Sequence, residues 1–141
     1  MGNEKIVASL KRMLTQEHAC AIRYATHAAV VSGPYSETIA TRLKEIASDE
    51  VLHAEKLRLR ILALGGELTL DVRTEDLKPA TTLEEILSIN IDEEKGAIRA
   101  YGEILESISM SDVLLFQTLQ EILRDEQEHL EELEALQNPP A

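Results

Sequence analysis

Two five-residue segments with the pattern Asp-Glu-x-x-His have the residue types and spacing to bind metal ions. They begin at Asp49 and at Asp125 and end at His53 and His129. Residues three positions apart on a helix lie on neighbouring turns of one face, so the Glu and the His of each segment can bind the same ion. Both pairs fall on apolar stripes, where an unpaired carboxylate or imidazole is costly to bury. The two segments therefore predict one shared, buried metal site.

A single Glu-x-x-His pair is more often a hydrogen-bonded core pair or part of a solvated edge, so the case depends on further ligands. Glu17 and Glu94 lie on two other helical segments, and each is followed seven residues later by a tyrosine, Tyr24 or Tyr101. The chain thus reads twice as Glu…Tyr followed by Asp-Glu-x-x-His, a repeat that predicts a pseudosymmetric site. The six candidate ligands, which are also the candidate catalytic residues, are Glu17, Glu50, His53, Glu94, Glu126 and His129.

The composition is that of a helical protein. The chain has 141 residues, no tryptophan and one phenylalanine, and it is rich in residues that favour long helices over sheets. At this length we expect one domain over residues 1–141 with a substantial core. The only cysteine, Cys20, excludes an intramolecular disulfide and a four-cysteine iron centre within one chain.

The charge and the terminal sequence limit the partners. A formal net charge of −12 argues against nucleic acid and favours the attraction of cations. No apolar run reaches transmembrane length, and the amino-terminal segment lacks the apolar core and cleavage pattern of a signal peptide. We therefore expect a cytoplasmic protein that binds neither nucleic acid nor membranes.

Local start and stop signals divide the chain into four helices. The predicted helices span about 4–31, 36–64, 83–108 and 112–138. Thr82 and Glu85 have the spacing of a capping box at the start of the third helix. The other predicted N-caps are Asn3 and Ser111, and the predicted stops are Ser32-Gly33-Pro34, Gly65-Gly66 and Pro139-Pro140.

The connections predict how the helices are arranged. Short links join helices one and two, and helices three and four, so each pair should form an antiparallel hairpin. Residues 66–81 have little helical pattern, and when extended they reach roughly 50 Å at about 3.3 Å per residue. A helix of about 25 residues is only about 38 Å long. The predicted fold is therefore all-α, a four-helix bundle with a long crossover that makes helix three parallel to helix two.

Together these features resemble the bacterioferritin branch of the ferritin-like superfamily. The segment Glu17–His27 reads EHACAIRYATH and resembles the first helix of that family, with a ligand Glu, a Tyr seven residues on and a His ten residues on. The resemblance extends over nearly the whole chain. The remaining motifs match in order and spacing at Glu50/His53, Glu94 and Glu126/His129.

The resemblance implies a non-haem di-iron ferroxidase, an oxidoreductase that oxidises Fe(II) with oxygen or hydrogen peroxide in iron detoxification or storage. In that family pattern, Glu50 and Glu126 would bridge two irons. Four carboxylates would neutralise the four charges of two divalent ions, and imidazole also suits manganese or zinc. The other ligands would divide between the two ions as Glu17 with His53 and Glu94 with His129.

Three departures from related proteins narrow this expectation. Val51 stands where bacterioferritins carry a haem-ligating methionine, so no haem is expected. The chain ends soon after the fourth helix, which puts the 24-subunit cage in doubt. Ile91 and Ala97 flank Glu94 where rubrerythrins carry an extra carboxylate, which argues against a standard rubrerythrin. A rubrerythrin-like peroxidase or oxygen scavenger and a non-enzymatic metal-binding module remain the alternative functions.

Several neighbouring residues have open roles. Tyr24 and Tyr101 either pack with a hydrogen-bonded hydroxyl or act on the site, by a hydrogen bond to a carboxylate or as electron donors. Cys20 is expected to be a small buried thiol, and His18 to lie at the surface. His27 is a candidate for a supporting or entry-path role.

Two further expectations concern contacts between elements. A metal-bound His usually donates its other ring N–H to a supporting group, and by symmetry we expect Asp125 to support His53 and Asp49 to support His129. Exposed apolar residues on the first hairpin would mark a protein contact, so we expect an isologous homodimer or a larger homo-oligomer. The expected apolar residues are Ile22, Val30, Leu59 and Leu62.

Overall fold

The computed structural model describes residues 2–138, and these residues form an all-α four-helix bundle without a strand. The helices are α1 (Glu4–Val30), α2 (Ser36–Ala63), α3 (Leu83–Ser107) and α4 (Val113–Gln137), with a short 3-10 turn at Thr74–Asp76. Each observed boundary lies within about two residues of the predicted one. The predicted stop at Pro139-Pro140 lies outside the described residues. Within residues 2–138, no helix has the apolar length that a membrane crossing needs.

Two of the predicted helix ends have the expected geometry. The Thr82 hydroxyl accepts a hydrogen bond from the backbone N–H of Glu85 at 3.1 Å, and the Glu85 carboxylate accepts one from the N–H of Thr82 at 3.3 Å, which completes the capping box. After α2, Gly65 adopts a left-handed φ of 84°. The N–H of Gly66 then donates to the carbonyl of Ile61 at 2.9 Å, the closing bond of a Schellman motif.

One predicted N-cap is wrong, and another, Asn3, occupies the N-cap position of α1 without a side-chain cap bond. The cap of α4 is Asp112, whose carboxylate accepts from the N–H of Leu115 at 3.2 Å, whereas Ser111 lies one residue too early. A carboxylate also interacts more favourably than a hydroxyl with the positive end of the helix dipole. Asn3 makes no side-chain cap; its amide lies 3.5 Å from the carbonyl of Leu64 and joins the start of α1 to the end of α2.

The core shows the direction of each helix. One apolar cluster joins the start of α1, the end of α2, the end of α3 and the start of α4, and it includes Leu10, Ile61, Ile108 and Leu115. A second cluster joins the opposite ends and includes Ala28, Ile39, Ile86 and Leu133. Helix α3 is therefore parallel to α2, and residues 64–82 form a crossover along the bundle. The predicted connectivity is confirmed.

Candidate metal centre

All six candidate ligands meet in the middle of the bundle, between the two apolar clusters. Each of them is at most 1% exposed. They form two groups of four residues, and within each group the ligand atoms lie within 4.8 Å of one another. The first group is Glu17, Glu50, His53 and Glu126, and the second is Glu50, Glu94, Glu126 and His129.

Glu50 and Glu126 belong to both groups. Glu50 projects from α2 and Glu126 from α4, so each hairpin supplies one shared carboxylate. A carboxylate has two oxygens and can contact two ions at once. The arrangement therefore offers two adjacent candidate cation sites that share two carboxylates.

Each histidine turns its Nδ1 atom toward the carboxylates. Nδ1 of His53 lies 2.8 Å from Glu17 and 3.1 Å from Glu50. Nδ1 of His129 lies 3.0 Å from Glu94 and 3.3 Å from Glu126. The two halves of the site thus repeat each other, as the sequence repeat predicts.

The opposite ring nitrogens point to two aspartates. Nε2–H of His53 donates to Asp125 at 2.8 Å, and Nε2–H of His129 donates to Asp49 at 2.9 Å. Both predicted cross-bundle contacts are confirmed. When Nε2 carries the donated proton, neutral imidazole leaves the Nδ1 lone pair free for a cation.

Burial governs the protonation of the carboxylates. Burial first, and repulsion from a neighbouring carboxylate second, raise the pKa of Glu50 and of Glu126 to about 8. Burial also raises the pKa of Glu17 and of Glu94 to about 7. Without a cation, the site therefore holds protons at neutral pH that ordinary glutamates would release.

Burial has the opposite effect on the pKa values of the two histidines, because their charged form is the protonated one. Burial by itself lowers the pKa of His53, but the nearby carboxylates of Glu17 and Glu50 outweigh it and raise the pKa to about 12. Burial also lowers the pKa of His129, but the nearby carboxylates of Glu126 and Glu94 outweigh it and raise the pKa to about 11. The carboxylates of the site thus favour positive charge at its centre.

The donor set fits divalent metal ions. Both side-chain oxygens of Glu50, Glu94 and Glu126, and Oε1 of Glu17, are buried without a hydrogen-bond partner among the described residues. The 3.0 Å contact between His129 and Glu94 lacks hydrogen-bond geometry, so both atoms remain available. Buried carboxylate oxygens without donors are strongly unfavourable. Carboxylates together with imidazole are ligands that suit iron, manganese or zinc.

Two tyrosines flank the site and are fully buried. Burial raises the pKa of Tyr24 and of Tyr101 well above the ordinary value, with Glu94 the second cause for Tyr24 and Glu17 for Tyr101. In each case the charge of a glutamate from the other hairpin adds to the effect of burial on the pKa. Within residues 2–138 neither hydroxyl has a hydrogen-bond partner, so the expected hydroxyl bonds are not present.

A buried polar network beside the site was missed by the sequence analysis. Arg23 is 2% exposed and donates to the Asn90 side chain at 2.9 Å, to the Asp76 carbonyl at 2.9 Å and to the Cys20 sulfur at 3.4 Å. It binds α1 to α3 and to the crossover. Cys20 is buried, as expected. The position of Asn90 on the apolar stripe of α3 was the signal that could have indicated such a network.

His27 extends this network to the crossover. Its Nδ1 accepts from the Asn90 amide at 2.9 Å, and its Nε2–H donates to the Lys78 carbonyl at 2.7 Å. Both ring nitrogens are thus used by groups that are not candidate ligands. The contacts assign His27 to holding the crossover in place, in contrast to the supporting or entry-path role considered from the sequence.

His18 lies at the surface as expected, but it is only partly exposed. His18 is half-buried; its Nδ1–H donates to the Asp71 carbonyl at 2.8 Å, and its Nε2 accepts from Arg58 at 2.9 Å. The side chain turns away from the candidate ligands, as predicted, but the crossover covers it. His18 therefore connects α1, α2 and the crossover.

Comparison with known proteins agrees with this geometry. The family model described as the ferritin-like domain matches residues 7–139. A bacterioferritin from Desulfovibrio desulfuricans is 29% identical over 128 residues, which cover 89% of this chain and 70% of that protein. A ferritin-like, diiron-carboxylate protein from Bacillus anthracis has a TM-score of 0.89 at 29% identity, with 96% of each chain covered. A bacterioferritin-related dodecameric thioferritin from Bacteroides fragilis has a TM-score of 0.86 at 27% identity, covering 93% of this chain and 83% of the other.

Proposed function

The chain belongs to the ferritin-like domain family, and on that basis we propose that it is a non-haem di-iron ferroxidase that oxidises Fe(II) with oxygen or hydrogen peroxide in iron detoxification or storage. The observation that carries the proposal is that Glu50 and Glu126 are shared by both groups of ligand atoms. Shared carboxylates hold two ions close together, at about 3.5–4 Å in two-metal centres. Two adjacent Fe(II) ions can give two electrons to one oxidant.

The six ligand residues divide into one shared pair and two pairs that each serve one ion. Glu50 and Glu126 would hold both ions, because they belong to both groups of ligand atoms. The four carboxylates carry four negative charges, which balance two divalent cations when both histidines are neutral. The remaining ligands are Glu17 and His53 for one ion and Glu94 and His129 for the other.

Electrons and protons balance in this reaction when iron is the substrate. Each of two Fe(II) ions gives one electron and becomes Fe(III). Dioxygen takes two electrons and two protons to form hydrogen peroxide, and hydrogen peroxide takes two electrons and two protons to form two water molecules. The bundle contributes ligand geometry, charge balance and exclusion of bulk water.

The supporting residues keep the ligands in place. Asp125 and Asp49 hold the Nε2–H groups, so that the Nδ1 atoms of His53 and His129 face the carboxylates. The apolar clusters on either side of the site lower the local dielectric. In such surroundings the attraction between carboxylates and cations is stronger than in water.

Anaerobic Fe(II) titration followed by addition of oxidant tests the proposal. We expect saturation at two Fe(II) per chain, followed by consumption of about one oxidant molecule for each Fe(II) pair. Binding without consumption of either oxidant would overturn the ferroxidase function and support a non-enzymatic metal-binding module, with manganese or zinc as candidate ions. Sustained peroxide turnover with an added reductant would instead support the rubrerythrin-like alternative, although Ile91 and Ala97 beside Glu94 are buried and apolar.

The outer face of the first hairpin supports a homodimer as part of this proposal. The four expected apolar residues are indeed exposed, by 42% to 56%. The repeat provides an internal comparison, because aligning Glu17 with Glu94 and Glu50 with Glu126 pairs the two hairpins. The positions equivalent to Ile22, Val30, Leu59 and Leu62 are Arg99, Ser107, Ala135 and Asn138. At these four positions the large apolar residues occur in the first hairpin and not in the second, and a second copy would cover them.

A further inference from the structure

The two buried tyrosines of the repeat differ in the charge of the residue that precedes them. Arg23 precedes Tyr24, and its guanidinium carbon lies 5.4 Å from the centroid of the Tyr24 ring. The repeat pairs Tyr24 with Tyr101 and Arg23 with Ala100. The ligands of the site are therefore symmetric, whereas the residue before Tyr101 carries no charge.

Arg23 is fixed over the ring by three hydrogen bonds. It is 2% exposed and donates to the Asn90 side chain and the Asp76 carbonyl, each at 2.9 Å, and to the Cys20 sulfur at 3.4 Å. The amide and the carbonyl are uncharged, and burial raises the pKa of the Cys20 thiol well above its ordinary value, which keeps it neutral. These bonds thus hold the guanidinium in place without neutralising its charge.

The charges around the two tyrosines favour oxidation of one over the other. A cation over an aromatic face is attracted by the π electrons, so Arg23 opposes the removal of an electron from Tyr24. Burial is the main cause that raises the pKa of both tyrosines, and the charge of Arg23 lowers that of Tyr24. The leading charge effects at Tyr101 come from Glu17 and Glu126, and both raise its pKa. The more negative surroundings of Tyr101 make it the easier ring to oxidise, because charge effects are strong in a buried site.

A centre that holds a single iron ion lacks one electron. One Fe(II) gives one electron, whereas hydrogen peroxide takes two electrons and two protons to form two water molecules. Transfer of only one electron would break the O–O bond and release a hydroxyl radical. A tyrosine can supply the missing electron together with its hydroxyl proton, and solvent supplies the second proton. The products are then Fe(III), two water molecules and a neutral tyrosyl radical.

We propose that Tyr101 is the one-electron donor to a centre that holds one Fe(II), and that Arg23 excludes Tyr24 from this role; the inference rests on the proposed ferroxidase function. Tyr101 is fully buried, and its hydroxyl has no hydrogen-bond partner among the described residues, so no neighbour holds the proton that must leave. Arg23 is a positioning residue, which acts through its charge on Tyr24.

Freeze-quench EPR spectroscopy tests the choice of tyrosine. The protein is loaded anaerobically with one Fe(II) per chain and mixed with hydrogen peroxide, and ring-deuterated tyrosine identifies the radical as a tyrosyl radical. The parent protein and all variants carry Tyr35→Phe, because Tyr35 is the third tyrosine of the chain and is 82% exposed. We expect Tyr101→Phe to lower the radical signal about tenfold, a discrimination that a desolvated cation–π contact can provide. Tyr24→Phe should keep the signal of the parent.

Two variants at Arg23 separate its charge from its packing. In the Tyr101→Phe background, Arg23→Gln removes the charge and should restore a radical at Tyr24. Arg23→Lys keeps a positive charge and should leave the signal low. Equal sedimentation and equal anaerobic Co(II) binding of all proteins are checked first. The two Tyr→Phe variants leave Arg23 in place, so they test the choice of tyrosine whether or not Arg23→Gln folds.

The outcomes separate this inference from the proposed function. A parent protein that oxidises Fe(II) without a tyrosyl radical, or whose radical disappears in Tyr24→Phe and persists in Tyr101→Phe, would overturn the assignment of Tyr101 while the ferroxidase function stands. Equal signals in the two Arg23 variants would overturn the role of its charge. A parent protein that fails to oxidise Fe(II) with either oxidant would overturn both proposals.

Discussion

Nε2 of His53 on α2 donates a 2.8 Å hydrogen bond to Asp125 on α4, and the repeat places the equivalent 2.9 Å bond between His129 and Asp49. Each aspartate directly precedes a glutamate shared by both ligand groups. One hairpin therefore orients the histidine of the other. The two halves of the centre depend on each other through both bonds.

Substitution of the supporting aspartate should weaken one ion site. In Asp125→Ala, His53 loses the acceptor that holds its ring, and we expect metal affinity at that half to fall by about 10–100-fold. Anaerobic Co(II) titration measures the effect. Glu128→Ala, an exposed carboxylate on the same helix, should bind as the wild type does; equal affinity in both variants would contradict the supporting role.

Removal of a shared carboxylate should abolish paired binding. Glu50→Ala deletes a ligand common to both groups of atoms, so the chain should no longer retain two ions after anaerobic Fe(II) loading and dialysis. Elemental analysis measures the metal content. Glu55→Ala, exposed on the same helix, should retain the pair. Two ions per chain in Glu50→Ala would refute the bridging assignment.

Charge on the outer face of the first hairpin should prevent dimer formation. Leu59→Glu combined with Leu62→Glu places two carboxylates on a face that we propose is buried between copies, and burial of unpaired charge is strongly unfavourable. Sedimentation velocity should show a dimer for the wild type and a monomer for the double variant. Leu114→Glu, at a residue 62% exposed on α4, should leave the dimer intact. A wild type that sediments as a monomer at micromolar concentration would rule out the interface.

The protein should bind no haem. Val51 offers no lone pair at the position where the bacterioferritin pattern has a haem-ligating methionine. The absorption spectrum of protein purified from haem-replete cells should therefore lack a Soret band. A Soret band that persists after gel filtration would contradict this prediction.

The bonds of His27 should make part of the stability depend on pH. Burial lowers the pKa of His27 below its ordinary value of 6.5, and the charge of Arg23 lowers it further. The neutral ring accepts from Asn90 and donates to Lys78, and protonation would place an N–H against the Asn90 amide. Because the folded pKa is below the unfolded one, the stabilisation is complete above about pH 6.5 and is lost as the pH falls through the folded pKa.

Comparison with His27→Leu isolates this effect. At pH 8 the free energy of unfolding of the metal-free variant should be lower by about 1–3 kcal/mol, because Asn90 and the Lys78 carbonyl lose their partner. The difference should shrink below pH 6.5, while the titration of the metal-centre residues cancels between the two proteins. Denaturant titrations at several pH values measure it. A difference that stays constant between pH 8 and pH 5 would refute the role of neutral His27.

The sequence was sufficient to predict the helices, their connectivity and the six candidate ligands. Glu50 with His53, and Glu126 with His129, are three residues apart, and the helical period places each pair on one face whatever surrounds it. The length of the crossover relative to a helix restricts the topology in the same local way. The repeat then pairs Asp49 with His129 and Asp125 with His53 by symmetry.

Only the tertiary structure determined the contacts made by the crossover. Arg23 reaches Asn90, 67 residues away, and His27 reaches the carbonyl of Lys78, 51 residues away. The crossover has no periodic pattern, so its path over α1 follows from packing and hydrogen bonding with residues distant in the sequence. Local spacing places residues on a helix face, whereas contacts between distant segments depend on how the whole chain packs.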